Sequence, residues 1–265
     1  MLRALSELTR LSTISDLGKK VEGIKFNATL PVTIKIKEQI TKSEFLLDIG
    51  NKKQIKTKSE LPLELGKRYW GVLKEHPQTK SISISKLLKQ PHFFQNLKNS
   101  KLPILKEQNI DYILRSQNPK EVMKEFLLDN LSKATSRHQF LTISSMVHAL
   151  EQNIFSFVMT NNKKESILQF RTKKSKKDHA KDKDKRVEDQ SIEFYAAFEN
   201  LGPIEGEVEI VGEEKRLTLY VHYENSLNFL KEELVNLNLQ TFLYKKEGKI
   251  YPFFEYPSSL LDLKG

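Results

Sequence analysis

The sequence predicts an α+β protein that is mainly β, and two changes in hydrophobic period predict it. Between residues 27 and 90, and again from residue 158 onward, apolar side chains tend to alternate with polar ones, which is the period of half-buried strands. Between residues 101 and 157 the apolar side chains recur at helical spacing. We therefore expect a small N-terminal antiparallel β-barrel or rolled sheet, a middle helical segment, and a C-terminal β-sheet covered by one helix.

Length and composition set the class of protein. The chain has 265 residues, which is enough for two domains. It has no cysteine, so disulfides, thiolate nucleophiles and Cys-ligated zinc are excluded. Residues 1–26 carry leucines at helical spacing interrupted by charges, which predicts a short amphipathic helix and lead-in instead of a secretory signal. No apolar run approaches the roughly 20 residues that cross a bilayer, so we expect a cytoplasmic protein without membrane insertion.

The segment 27–90 is expected to form the barrel-like domain. Val32, Ile34 and Ile36 alternate with polar residues, as in a strand with one buried face. The Gly50-Asn51 pair supplies a turn that tolerates positive φ. The alternation continues beyond this turn and gives about five short strands, which is typical of a small antiparallel barrel or rolled sheet.

The segment 101–157 is expected to be helical. Pro119 follows Asn118 and precedes Glu121, a pattern that places a cap, a proline and a carboxylate at a helix start. A second start is predicted at Ser136, where Gln139 completes a capping box. We expect these two helices to pack on each other.

The C-terminal domain is expected over 158–265. Alternation predicts three amphipathic strands within 192–223. A helix follows, with four leucines along one stripe: Leu227, Leu230, Leu234 and Leu237. Two further strands are predicted at 239–245 and 249–255, with Pro252 restricting the last one to an edge.

A basic segment interrupts this domain. Residues 171–186 hold nine Lys or Arg and three Asp, so six of the ten net positive charges lie there. Because residues 173–190 are highly charged and almost without large apolar side chains, we expect a mobile, exposed loop. The candidate polyanion contacts are Lys173, Lys174, Lys176, Lys177, Lys181, Lys183, Lys185 and Arg186. The loop has no Phe, Tyr or Trp for base stacking, so we expect weak, non-specific nucleic-acid binding at most.

Catalysis has little support in the sequence. The six histidines lie in unrelated contexts, with no pair at the spacing of metal ligands on a helix. The nucleophile elbow, the P-loop and the dinucleotide fingerprint are all absent. We therefore expect no enzymatic activity, no cofactor and no metal site.

The C-terminal pattern resembles a known family, the C-terminal domain of flagellar hook-length control proteins, over about residues 192–255. In that family a strand ending in a Leu-Gly turn, two more strands and a leucine-rich helix closing on a Gly-Leu step form the domain. In this chain Asn238 takes the position of that glycine. The matching residues are, in chain order, Phe198-Glu199-Asn200-Leu201-Gly202-Pro203, Val208-Glu209-Ile210, the strand 216–223, Leu230, Leu234 and Asn238-Leu239.

The resemblance implies a non-enzymatic protein-interaction module of the flagellar type III export system. Such a module contacts the cytoplasmic domain of the export gate and switches the class of exported substrate during biogenesis of the bacterial flagellum. The chain departs from the family upstream, because residues 19–160 look folded where those proteins carry a long Pro/Ser/Thr/Gln-rich ruler. The resemblance places the protein in the cytoplasm, or outside it after export through the flagellar apparatus.

Two functions follow from the sequence. In the first, a partner binds the Leu-Gly turn and the sheet face away from the helix, through Leu201, Gly202, Glu207, Glu209, Thr218, Tyr220 and His222. The alternative is a nucleic-acid-binding protein that uses the N-terminal barrel and the basic residues of 171–186.

Overall fold

The structure is a computed structural model that describes residues 30–50, 54–59, 62–76, 81–95, 104–105, 112–113, 116–161, 164–173, 190–211, 214–237 and 239–256. It is mixed α+β and mainly β, and its strands form two sheets. This confirms the fold class that the alternating and helical periods predict. The predicted N-terminal helix within residues 1–26 lies outside the described residues.

The N-terminal sheet has five antiparallel strands in the order β3-β2-β1-β4-β5. Their bounds are β1 Val32–Gln39, β2 Glu44–Asp48, β3 Gln54–Lys58, β4 Arg68–His76 and β5 Ser81–Lys89. The β4–β5 ladder shifts register between Trp70 and Val72, and at Gly71 between them a Cβ would lie only 2.8 Å from Ile34 Cδ1. The sequence predicts either a closed barrel or a rolled sheet. Within the described ranges the two end strands, β3 and β5, do not pair with each other, so the sheet is not a closed barrel.

Apolar side chains lie on both faces of this sheet. One face carries a core of its own, formed by Ile34, Ile36, Phe45, Leu47, Leu63, Tyr69 and Leu73. On the opposite face Trp70 and Leu88 lie side by side on β4 and β5 and belong to the larger core of the protein. The N-terminal sheet therefore packs against the rest of the chain through the second face.

The C-terminal sheet has seven strands in the order β12-β11-β10-β9-β8-β7-β6. Their bounds are β6 Ile104–Leu105, β7 Phe155–Asn161, β8 Lys164–Lys173, β9 Gln190–Phe198, β10 Gly202–Val211, β11 Glu214–Val221 and β12 Gln240–Lys245. Neighbouring strands are antiparallel except at the two ends of the sheet, where β6 is parallel to β7 and β11 is parallel to β12. Parallel neighbours need a crossover, and helices supply it in both places.

The first crossover contains the two predicted helices, α2 Pro119–Ser132 and α3 Arg137–Glu151, which follow the short α1 His92–Gln95. The α3 start is confirmed, because Ser136 Oγ accepts a hydrogen bond from the Gln139 N–H. At the α2 start Pro119 is in place, but Asn118 makes no side-chain cap bond. The buried side chains of both helices share one core with the seven-stranded sheet: Met123, Leu127, Ile143, Met146 and Leu150. The predicted boundary between residues 157 and 158 falls inside β7.

The second crossover contains α4 Glu224–Glu233 and a 3₁₀ turn at Leu234–Asn236. The predicted stripe is confirmed, since Leu227, Leu230 and Leu234 are buried in the same core as β11. The strand predicted at 249–255 is wrong, because residues 246–256 form no strand. Pro252 has no N–H to donate to a ladder, and the Phe254 backbone bonds to the Gln169 side chain instead.

The two sheets meet at the turn between β9 and β10. The Trp70 Nε1–H donates to the Phe198 carbonyl oxygen at 2.9 Å, and the Thr33 hydroxyl donates to the Glu199 carbonyl oxygen at 3.3 Å. Beside them the Tyr223 hydroxyl donates to the Lys86 carbonyl oxygen at 3.1 Å. We call this contact, built from Thr33, Trp70, Lys86, 198–202 and Tyr223, the inter-sheet joint.

Candidate partner-binding surface

Strand register decides which of the predicted partner-binding residues share a face. Residues directly opposite each other in a ladder point to the same side of the sheet. Glu207 lies opposite Thr218, which lies opposite Phe242 on β12. In the adjacent row Tyr220 lies opposite Tyr244. These side chains therefore lie on one face of the seven-stranded sheet, which we call the outer face.

Three aromatic side chains on the outer face are exposed. Tyr220 and Phe242 are each 37% exposed, and Tyr244 is 49% exposed. The rings of Tyr220 and Tyr244 stack with centroids 5.6 Å apart and planes 26° apart. We call Tyr220, Phe242 and Tyr244 the aromatic strip. Because large apolar side chains grouped on one open face are typical of interaction sites, the strip is the strongest candidate surface among the described residues.

A row of carboxylates borders the aromatic strip. Glu205, Glu207 and Glu209 follow one another at every second position of β10 and share the outer face. Glu205 is ion-paired with Lys246, which follows the end of β12. Glu209 lies opposite Arg216 across the β10–β11 ladder. The surface thus combines aromatic rings with an acidic border, which suits a partner that presents apolar and basic side chains.

The other half of the outer face is covered by the C-terminal segment. The Gln169 side chain holds the Phe254 backbone by two hydrogen bonds, donating to its carbonyl oxygen at 2.8 Å and accepting from its N–H at 3.2 Å. The Arg171 guanidinium lies 4.4 Å from the centre of the Phe253 ring. Tyr256 is buried and hydrogen-bonded to Ser156, and this burial raises the pKa of the Tyr256 hydroxyl. The open part of the outer face therefore begins at β10.

The predicted turn residues Leu201 and Gly202 are buried in the inter-sheet joint. Gly202 has φ +78°, and a Cβ there would lie 2.7 Å from Tyr223 Cε2. The Leu201 carbonyl oxygen accepts a hydrogen bond from the Ser226 hydroxyl at 2.9 Å. Leu201 and Gly202, which the sequence marks as partner-binding, therefore help to join the two sheets and are not on the surface.

His222 lies at the end of the candidate surface and is half-buried. Its ring packs edge-on against the Tyr223 ring with centroids 4.8 Å apart, and its Nδ1 is 3.4 Å from the Gly248 carbonyl oxygen. Burial lowers the pKa of His222 from its ordinary value, which favours the neutral imidazole at pH 7. His222 therefore borders the aromatic strip as an uncharged side chain.

Sequence reasoning missed two members of the aromatic strip, Phe242 and Tyr244, and the carboxylate of Glu205. The alternation of Phe242 and Tyr244 with the half-buried Leu243 is visible in the sequence. What the alternation does not reveal is that β12 runs parallel to β11 and sets Tyr244 beside Tyr220. A long-range register was needed to bring them together.

The basic residues fall almost wholly outside the described part of the chain. Lys173 is the last residue of β8, and its backbone pairs with that of Ser191 in β9. The other seven candidate polyanion contacts lie within residues 174–189, outside the described ranges. The basic segment is thus the connection of the β8–β9 hairpin. Within the described ranges no group of three or more His, Asp or Glu residues could hold a metal ion. In that same part of the chain, every helix is too short or too polar to cross a bilayer.

Comparison of the chain with known protein families, with curated proteins and with solved structures found no match. The geometry of the outer face and the resemblance of residues 192–255 therefore carry the functional argument.

Proposed function

We propose that the protein is a non-enzymatic interaction module of the flagellar type III export system, and that the aromatic strip docks on the cytoplasmic domain of the export gate. The observation that carries the proposal is the exposure of Tyr220, Phe242 and Tyr244 together on one open sheet face. The chain covers the other half of this face with its own residues 253–256, which leaves the aromatic strip for a second molecule.

The chemistry of the surface supports a protein partner. Tyrosine and phenylalanine are enriched at interfaces, because each supplies a large apolar area at a low cost in side-chain entropy. A central aromatic commonly contributes 2 kcal/mol or more of the binding energy, so the strip can supply most of what a transient complex requires (about 8 kcal/mol at a micromolar Kd). The carboxylates of Glu205, Glu207 and Glu209 orient the partner and favour one with basic side chains.

The resemblance supplies the identity of the partner, and the fold suggests the kind of role. Hook-length control proteins measure length with an extended upstream ruler, whereas this chain has a five-stranded sheet and two helices in that region. We therefore propose a compact relative with a regulatory or accessory role in place of a measuring one. Its location is the cytoplasm, where the export gate presents its domain.

The binding proposal is tested by removing the two stacked rings. Tyr220→Ala combined with Tyr244→Ala is expected to weaken binding to the purified gate domain by about tenfold or more, because the two stacked rings supply most of the exposed aromatic area of the strip. Calorimetric titration of the full chain against that domain measures the Kd. The circular dichroism spectrum is expected to stay unchanged. The melting temperature is expected to fall only modestly, since loss of a stacked aromatic pair costs about 0.5 to 1.5 kcal/mol.

Two further variants make the result specific. Tyr112 is 70% exposed and lies outside both sheets, so Tyr112→Ala is expected to bind like the wild type. Glu209→Lys reverses one charge of the acidic border and is expected to slow association, with a smaller effect in high salt. If the wild-type protein shows no interaction with the gate domain, the proposed partner is wrong.

The alternative function, nucleic-acid binding, rests on the basic segment of the β8–β9 hairpin. The three carboxylates of β10 lie beside only two cations, Lys246 and Arg216, so this part of the outer face has no excess of positive charge and does not favour the alternative. Deleting 174–185 leaves 186–189 to connect Lys173 with Gln190, which is long enough to close the hairpin. We expect the melting temperature to change little, because loop-closure entropy depends weakly on length.

Salt dependence then separates the two functions. We expect the intact protein to bind nucleic acid weakly and to lose this binding at physiological salt, with or without the deletion. The alternative would be favoured by tight binding that weakens steeply as salt rises. It would also require that the slope of log K against log salt concentration become several units shallower in the deletion variant.

A further inference from the structure

The strand β12 ends the seven-stranded sheet with an open edge. The Lys246 N–H donates to the Val221 carbonyl oxygen at 2.8 Å, so the backbone groups of residue 246 point toward β11. Backbone groups alternate in direction along a strand. The N–H and C=O groups of Thr241, Leu243 and Lys245 therefore point away from β11, and within the described residues no other strand pairs with them.

The other strands at sheet edges are protected against pairing, and β12 is not. The β6 edge has two residues, and the β3 edge carries Lys56 and Lys58. The β5 edge carries Lys86 at φ +53°, close to a register shift in its ladder. Short length, lysines and irregular backbone are the ordinary ways in which proteins prevent an edge from accepting another strand. In β12 residues 240–244 have no charge and no proline.

We propose that the open edge of β12 pairs with β12 of a second copy of this chain, antiparallel, about a two-fold axis at Phe242. In such a ladder the outward N–H and C=O groups of Thr241 face those of Leu243 in the second copy. By symmetry, those of Leu243 face Thr241 of the second copy, so two hydrogen-bonded pairs form around the axis. Phe242 then lies opposite its own copy at a position without hydrogen bonds, where side chains approach most closely.

Charge supports a second copy as the occupant. A two-fold axis brings like residues together, so a strand that pairs with itself must carry no charge near the axis. In the proposed register Gln240 lies opposite Tyr244, and Lys245 lies opposite Leu239, so no charged side chain faces a like charge. The exposed ring of Phe242 then lies beside its own copy and that of Tyr244 beside Gln240, while both rings stay open on the outer face.

The dimer goes beyond the proposed function and does not depend on it. It would continue the outer face across both molecules and set two aromatic strips side by side. Because only about five residues of each strand pair, the contact is smaller than a standard interface of roughly 800 Å² per partner. We therefore expect a weak, concentration-dependent dimer of the full chain.

The test is a charge-swap complementation. Sedimentation equilibrium of the wild-type chain, at concentrations up to about 1 mM, is expected to show a mass that rises from one chain toward two. Phe242→Lys and Phe242→Glu each place like charges opposite one another at the axis, and each alone is expected to remain a monomer. Mixed in equal amounts, the two variants are expected to form a heterodimer, because opposite charges then face each other.

A second pair of variants tests the backbone. Thr241→Pro removes an N–H that points to the open edge and is expected to abolish the dimer, whereas Thr241→Val keeps the N–H and is expected to retain it. Both lose the Thr241 hydroxyl, so that loss cannot explain a difference between them. The proposal is overturned if the wild type remains a monomer at the highest concentration, or if Phe242→Lys dimerises as the wild type does.

Discussion

Replacing Leu219 or Leu230 by alanine is expected to lower the free energy of unfolding by about 2 to 5 kcal/mol. Both side chains are completely buried, Leu219 on the inner face of β11 and Leu230 on the packed stripe of α4. Truncation removes buried methyl groups and leaves a cavity between β11 and α4. The cavity stays largely open, because the closely packed sheet and helix around it relax only partially. Denaturant unfolding of the full chain, followed by circular dichroism, measures the change.

The matched control is Val235→Ala on the turn after α4. Val235 is 78% exposed, so its truncation is expected to change the unfolding free energy by about 0.5 kcal/mol or less. If Leu219→Ala and Leu230→Ala both unfold like the control, the assignment of the inner face of β11 and of the α4 stripe is wrong.

Gly202→Ala is expected to destabilise the protein by at least about 2 kcal/mol. Two effects add at this position. The backbone has φ +78°, which a residue with a Cβ adopts only at a cost, and the new methyl group would lie 2.7 Å from Tyr223 Cε2. Tyr223 cannot move aside easily, because its ring is buried and its hydroxyl is bonded to the Lys86 carbonyl oxygen. Thermal unfolding measures the loss.

Gly248→Ala is the control for this substitution, since a Cβ at Gly248 meets nothing within 4 Å. The chain has a single tryptophan, Trp70, and it donates its hydrogen bond inside the inter-sheet joint. We expect the tryptophan emission of folded Gly202→Ala to shift to the red as the joint loosens, and that of Gly248→Ala to stay unchanged. If the two variants have the same melting temperature and the same tryptophan emission, then neither the positive φ nor the Tyr223 contact restricts position 202.

Local chemistry predicts the elements of this fold well. The capping box at Ser136 predicts the α3 start, and the leucine stripe 227–234 predicts which side of α4 is buried. Period-two alternation predicts β10 and β11 and the residues within each strand that share a face, such as Glu207 with Glu209 and Thr218 with Tyr220. Each of these features depends on residues within a few positions of one another, so the sequence contains the information directly.

Long-range contacts are what the sequence does not predict. The helices α2 and α3 belong to the core of the seven-stranded sheet because β6 pairs parallel with β7, a contact that spans the whole helical segment. Leu201 and Gly202 are buried because the N-terminal sheet packs over their turn. The residues 253–256 cover half of the outer face through Gln169 and Arg171, which are more than 80 residues away in the chain.

The strand order of the C-terminal sheet also has a consequence for how the protein folds. From β7 to β12 each strand lies beside the strand that precedes it in the chain, so the sheet can grow by adding one neighbour at a time. Early pairing favours short loops, because closing a long loop loses more chain entropy before any contact forms. On a ribosome β12 is the last of the described strands to emerge, so β11 is already present to pair with it. The described strand that ends this sheet with an unprotected edge thus spends the shortest time without a neighbour on either side.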